Sequence, residues 1–145
     1  MTRGPLGMDE ILESVRMVGQ DHLDIRTVTL GIDLRGCRTP EDVVERVTTT
    51  AGDLLDVTDD LAAESGIPIV NRRISVTPIA WVAERPDREL LLDLARAMDV
   101  AAIDVGVDFI GGFSALVEKN TSRIAEELMA ALPMALAATD RVCGS

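Results

Sequence analysis

The stretch Ile69 to Ile79 (IVNRRISVTPI) sets β-branched residues among polar ones and is preceded by Gly66 and Pro68. That is the pattern of a β-strand entered from a turn. Working outward, Asp87-Arg88-Glu89 opens a helix running to roughly Ile103. On the other side, Thr39-Pro40-Glu41-Asp42 starts an earlier helix: Thr39 suits the N-cap, Pro40 the first helical position, and the acids the positive helix end. Val43, Val44, Val47, Leu54, Leu55 and Leu61 give that helix its expected buried face, and Gly66 marks its end.

The same unit recurs on both sides. Asp24 to Asp33 (DIRTVTLGID) alternates β-branched and polar residues as a strand, after a short amphipathic helix from Met8 to about Gln20. Val107 to Leu116 (VDFIGGFSAL) reads as a third strand that loosens at Gly111-Gly112. Thr121 to about Thr139 reads as a third long helix with Leu128, Leu132, Leu136 and its alanines inward, and Pro133 is expected to kink or interrupt it. Arg141 to Ser145 begins a fourth strand. Consecutive strand–helix units favour parallel pairing, so the fold class is α/β. Parallel strands usually need cover on both faces, and few strands leave an edge without a partner. The expectation is therefore a working unit larger than this chain, as a fragment or as a small subunit whose sheet another polypeptide completes. Residues 8–145 form one domain on this reading, and residues 1–7 a disordered start or a remnant of cloning.

Composition narrows the function classes. The 145 residues are 47% hydrophobic but only 2% aromatic, with Trp81, Phe109, Phe113 and no tyrosine, so the core must be aliphatic. A net charge of −11 argues against a nucleic-acid partner and against an anionic membrane surface. No apolar run reaches membrane-spanning length and no signal peptide is evident, which leads to an expected cytoplasmic location. Cys37 and Cys143 are too far apart in sequence to suggest a disulfide framework or a zinc knuckle.

Several segments, in order, resemble one family: DIRTVTLGI (Asp24 to Ile32), GIPIVNRRISVTPI (Gly66 to Ile79), GVDFIGGFSALVEK (Gly106 to Lys119) and ATDRVC (Ala138 to Cys143). This is the uncharacterised-protein family 0210, also called domain of unknown function 711. The resemblance covers nearly the whole chain from Met8 on. It implies a polypeptide about three times longer and a fold similar to the ten-stranded α/β barrel of pyruvate formate-lyase and ribonucleotide reductase. This chain then corresponds to the amino-terminal third, with the barrel incomplete. Cys37 and Cys143 match cysteines of the family pattern. The family brings no secure activity with it, because fold does not determine chemistry.

In such folds functional groups gather at the carboxyl ends of parallel strands. Three places qualify. After the first strand come Gly31, Asp33, Arg35, Gly36 and Cys37. The second strand carries Asn71, Arg72, Arg73, Ser75 and Thr77. Around the third lie Asp108, Gly111, Gly112, Ser114 and Lys119. Lys119 is the one lysine among thirteen arginines, and only an amine can form a Schiff base. Asp108, a carboxylate beside an apolar strand, is a second candidate for catalysis and the first candidate ligand for a divalent metal ion, the cofactor considered. Asn71, Arg73, Thr77, Gly111, Gly112 and Ser114 are candidate substrate-binding residues, Arg73 through its guanidinium fork. Cys37, flanked by Arg35 and Arg38, is a candidate reactive thiol, whereas Cys143 is expected to be buried. His22 and the acidic run Asp53, Asp56, Asp59, Asp60 and Glu64 are expected at the surface.

The leading expectation is a small subunit of a heteromeric barrel enzyme acting on a small carbonyl or carboxylate metabolite. Its favoured chemistry is carbon–carbon lyase or aldolase chemistry, by a Schiff base on Lys119 or a metal-held enolate at Asp108. The alternatives are a non-catalytic assembly module and a metabolite-sensing subunit of a larger partner.

Overall fold

The computed structural model describes residues 7–22, 24–117 and 122–145. Four strands, β1 (Ile25–Ile32), β2 (Ile69–Val76), β3 (Phe109–Phe113) and β4 (Val142–Gly144), form one sheet in the order β1-β2-β3-β4. Every neighbouring pair is parallel. The helices are α1 (Met8–Gly19), α2 (Pro40–Ala51), α3 (Leu54–Ser65), α4 (Ile79–Val82), α5 (Arg88–Val105) and α6 (Arg123–Ala137). The α/β class and the parallel pairing follow the sequence reading.

The core lies between one sheet face and the helices. Ile32, Ile74, Val76, Ile110 and Val142 from the strands meet Val43 and Val47 of α2, Leu91, Leu94 and Met98 of α5, and Leu128 of α6. It is aliphatic apart from Phe113, which is fully buried. Helix α2 packs on α5 and α5 on α6, while α3 packs on β2.

Helix boundaries follow their capping chemistry. The Thr39 hydroxyl accepts from the Asp42 amide at 3.2 Å, and the Asp42 carboxylate accepts from the Thr39 amide at 3.0 Å. This reciprocal pair satisfies donors that the first turn of α2 leaves free. Asp87 caps α5 by accepting from the amides of Glu89 at 3.0 Å and Leu90 at 3.4 Å.

Several expectations need correction. The helix expected from Thr39 to Gly66 is two helices, broken at Gly52-Asp53. Glycine is a weak helix former, and the two halves pack against different partners, which one straight helix could not do. Leu61, expected inward, is exposed on α3. The second strand stops at Val76, because Pro78 ends the ladder and the chain turns into α4. The interruption considered at Pro133 does not occur: α6 continues through it, with Pro133 on the exposed side where water can satisfy the carbonyl that loses its partner. Leu136 is likewise exposed. Thr121, the expected start of that helix, and residues 1–6 of the expected disordered start lie outside the described residues.

Strand β3 loosens where the sequence suggested. Its register with β4 shifts between Gly111 and Phe113, with Gly112 at φ +123°. A Cβ on Gly112 would lie 2.5 Å from Val76 Cγ2 and 2.7 Å from the Val76 carbonyl oxygen. Only glycine combines that backbone angle with that closeness. Gly144 is similarly confined, since a Cβ there would lie 2.7 Å from the Phe113 carbonyl oxygen.

A candidate functional site on the open face of the sheet

Side chains alternate across a strand, so each strand offers one face to the helices and one away from them. On the second face two rows run across the sheet. One is Thr29, Arg73 and Phe109; the next, toward the carboxyl ends, is Gly31, Ser75, Gly111 and Cys143. Thr29, Gly31, Arg73, Ser75 and Cys143 are exposed, and Gly111 and Phe109 are half-buried. Among the described residues no helix covers this part of the sheet. A hollow of about 240 Å3 there is lined by Thr29, Arg73, Ser75, Phe109, Gly111 and Cys143.

The Arg73 guanidinium lies 5.0 Å from the centroid of the Phe109 ring, in cation–π contact. That contact uses one face of the guanidinium plane. The hydrogen bonds among the described residues leave its N–H edges without a partner. The expected anion-binding role of Arg73 is compatible with this position. Asn71 shares the face but is committed, its side-chain amide donating to the Arg26 carbonyl at 2.9 Å.

A second cleft, of about 470 Å3, opens beyond the carboxyl ends of β1 and β2. Gly31, Asp33, Arg35, Ser75, Thr77 and Trp81 help to line it. The Asp33 carboxylate accepts from the Arg35 Nη2 at 2.7 Å, from Arg35 Nε at 3.0 Å, and from the Arg35 amide at 2.9 Å. The Thr77 hydroxyl donates to it at 2.8 Å while accepting from the Leu34 amide at 3.2 Å. The Arg35 side chain and amide, with Thr77 in support, hold the Asp33 carboxyl well below the ordinary carboxylate range. Thr77 thus reaches the site by orienting Asp33.

The remaining candidates separate. Gly111 belongs to the open face, whereas Gly112 packs against Val76 as the bulge residue. Ser114, just past β3, donates its amide to the Gly112 carbonyl at 2.8 Å and is half-buried. Asp108 stands at the amino end of β3, away from this mouth. Its carboxylate accepts from the Arg72 amide at 2.8 Å, and its own amide donates to the Arg72 carbonyl at 2.9 Å, the bonding of a strand-entry residue. Lys119 lies outside the described residues. Among the described residues no group of three or more His, Cys, Asp or Glu side chains is placed to hold a metal ion.

The two cysteines reverse their expected roles. Cys37 is 5% exposed, and burial pushes its thiol up in spite of the Arg46 guanidinium. Cys143 is exposed on the open face. The sequence reading also passed over Trp81, which is 60% exposed at the cleft. Its available signal was the position: an aromatic just past a proline that ends a strand.

The chain is thus an all-parallel α/β sheet with polar and small residues at its open carboxyl edge. The family described as Uncharacterised ACR (DUF711) matches residues 16–145, and the chain belongs to it. The relatives it matches are UPF0210 proteins. The chain is 49% identical over 142 residues to that of Streptococcus equi subsp. equi, covering 94% of the chain and 32% of the relative. It is 50% identical over 143 residues to that of Syntrophotalea carbinolica, again 94% and 32%. For that of Desulforudis audaxviator the figures are 47% over 146 residues, 97% and 32%. The chain therefore spans about a third of the length of these relatives. No helix of the described residues is long and apolar enough to cross a membrane.

Proposed function

We propose that this chain is one wall of an α/β-barrel enzyme for a small carbonyl or carboxylate metabolite, with the open sheet face turned toward the substrate. A larger polypeptide completes the barrel, and neither nucleic acid nor membrane is a partner. The observation that carries this reading is the face left uncovered among the described residues: an all-parallel sheet with α2, α5 and α6 on one side and Arg73, Ser75 and Cys143 exposed on the other. Parallel sheets are stable when both faces are covered, so that face needs a second layer. A barrel interior supplies one and makes the strands' carboxyl ends a substrate mouth. The carbon–carbon lyase reading rests on the Lys119 amine as a Schiff-base former. The metal-enolate route through Asp108 has less support, since that carboxylate is engaged with the Arg72 amide.

The test is co-expression of this chain with a polypeptide matching the remaining two thirds of the Streptococcus equi relative. A stable complex in which Cys143 is shielded from a thiol reagent is the expected result. Absence of a complex, with Cys143 equally reactive in both samples, refutes the barrel reading. Borohydride trapping with carbonyl substrates on that complex should add mass at Lys119, and full activity in Lys119→Arg would end the Schiff-base route. The non-catalytic assembly reading is favoured by the structural engagement of Asn71 and Asp108. It predicts that Arg73→Gln leaves turnover of the complex intact.

A further inference from the structure

We infer that the cleft at the carboxyl ends of β1 and β2 binds a small planar carboxylate, held by the outer edge of Arg35 and stacked on Trp81. This rests on the reading of the open face as the substrate side and names the kind of substrate that side takes. Asp33 engages the Nε–Nη2 edge of the Arg35 guanidinium. Guanidinium carries five N–H donors in a rigid plane, so the Nη1–Nη2 edge remains as a second fork, and no hydrogen bond among the described residues uses Nη1. The Leu34 amide, Thr77 and Asp33 hold that plane in series, so the fork is oriented before any ligand arrives. Asp33 and Thr77 are positioning residues in this account.

The cleft offers donors rather than acceptors. The oxygens of Asp33 already receive Arg35 Nε and Nη2, the Arg35 amide and the Thr77 hydroxyl. The Arg35 guanidinium itself carries no acceptor. An anion fits this set, and an amine does not. The floor is small: a Cβ on Gly31 would meet nothing within 4 Å, and Ser75 lies beside it in register. Trp81 and Pro78 supply flat apolar surface at the wall. An exposed tryptophan stacks on a planar ring body more favourably than on a compact ion. At about 470 Å3 the cleft is within the range that takes small ligands.

Trp81 is the only tryptophan and the chain has no tyrosine, so intrinsic fluorescence reports this cleft directly. The experiment titrates the 145-residue chain with benzoate, benzamide, acetate and inorganic phosphate, following Trp81 emission. Benzoate should give a saturable change, with the other three each about tenfold weaker or more. Arg35→Gln and Arg35→Lys should both weaken benzoate by about tenfold, because charge without the fork is not enough. Gly31→Val should abolish the response by filling the floor while circular dichroism stays unchanged. Equal responses to benzoate and benzamide, unchanged binding in Arg35→Gln, or no saturable response to benzoate overturns the inference. These readings need no second polypeptide, so a failure here and a failure of barrel assembly are separate results.

Discussion

Gly112 shows how one missing side chain shapes the carboxyl edge of the sheet. Its φ of +123° and the 2.7 Å that would separate a Cβ from the Val76 carbonyl oxygen predict a large penalty for Gly112→Ala. We expect a loss of about 2–4 kcal/mol, combining backbone strain with overpacking. At Gly111 the nearest atom to a Cβ is the Ile74 carbonyl oxygen at 4.0 Å, so Gly111→Ala should shift the urea midpoint far less. Neighbouring glycines that look equivalent in sequence thus divide into a packing residue and a surface residue. Acid sensitivity also belongs to single residues. The Asp33 carboxyl is held down by the Arg35 side chain and amide and by Thr77, and the Asp42 carboxyl by the amides of Arg38 and Thr39. The unfolded chain binds these protons near the ordinary value of 3.8 and the folded chain only below it. The stabilisation is therefore complete above that value and is lost as pH falls through the folded one. Asp33→Asn and Asp42→Asn should each flatten the decline of the urea midpoint as pH falls below about 4.

Among the elements, the helices show which sequence signals are decisive and which are not. The start of α5 was legible because Asp87 supplies the cap its first turn needs, and Asp87→Ala should cost about 1 kcal/mol by thermal unfolding. The strands were legible from alternation and from the glycines and prolines between them. The break between α2 and α3 was not, because the apolar spacing runs on across Gly52-Asp53 and only the choice of packing partner separates the halves. Helix α4 was hidden for a similar reason: Ile79 to Val82 is apolar enough to extend a strand, and Pro78 decides otherwise. At the site, Asn71, Arg73 and Ser75 share one face of β2, but strand alternation does not tell which of them has free donors. The amide of Asn71 is taken by a carbonyl 45 residues away in sequence, a contact that no local pattern announces. Asp108 was placed beside the glycines by sequence proximity, whereas a strand separates amino from carboxyl ends by about 3.3 Å per residue.

For the whole molecule, the asymmetry of the sheet governs chemical access. Helices shield Cys37 on one side and leave Cys143 bare on the other. A thiol reagent should therefore label Cys143 quickly in the native chain and reach Cys37 only as urea unfolds it, giving two well-separated phases. Strand order equal to chain order has a consequence for biosynthesis. Each strand lies beside the one made just before it, so no segment must wait for a distant partner to be translated. A ribosome adds about 5–20 residues per second, far slower than local pairing. Each new strand can therefore settle on a template already in place, and the sheet can grow in the direction of synthesis, one hairpinless step at a time.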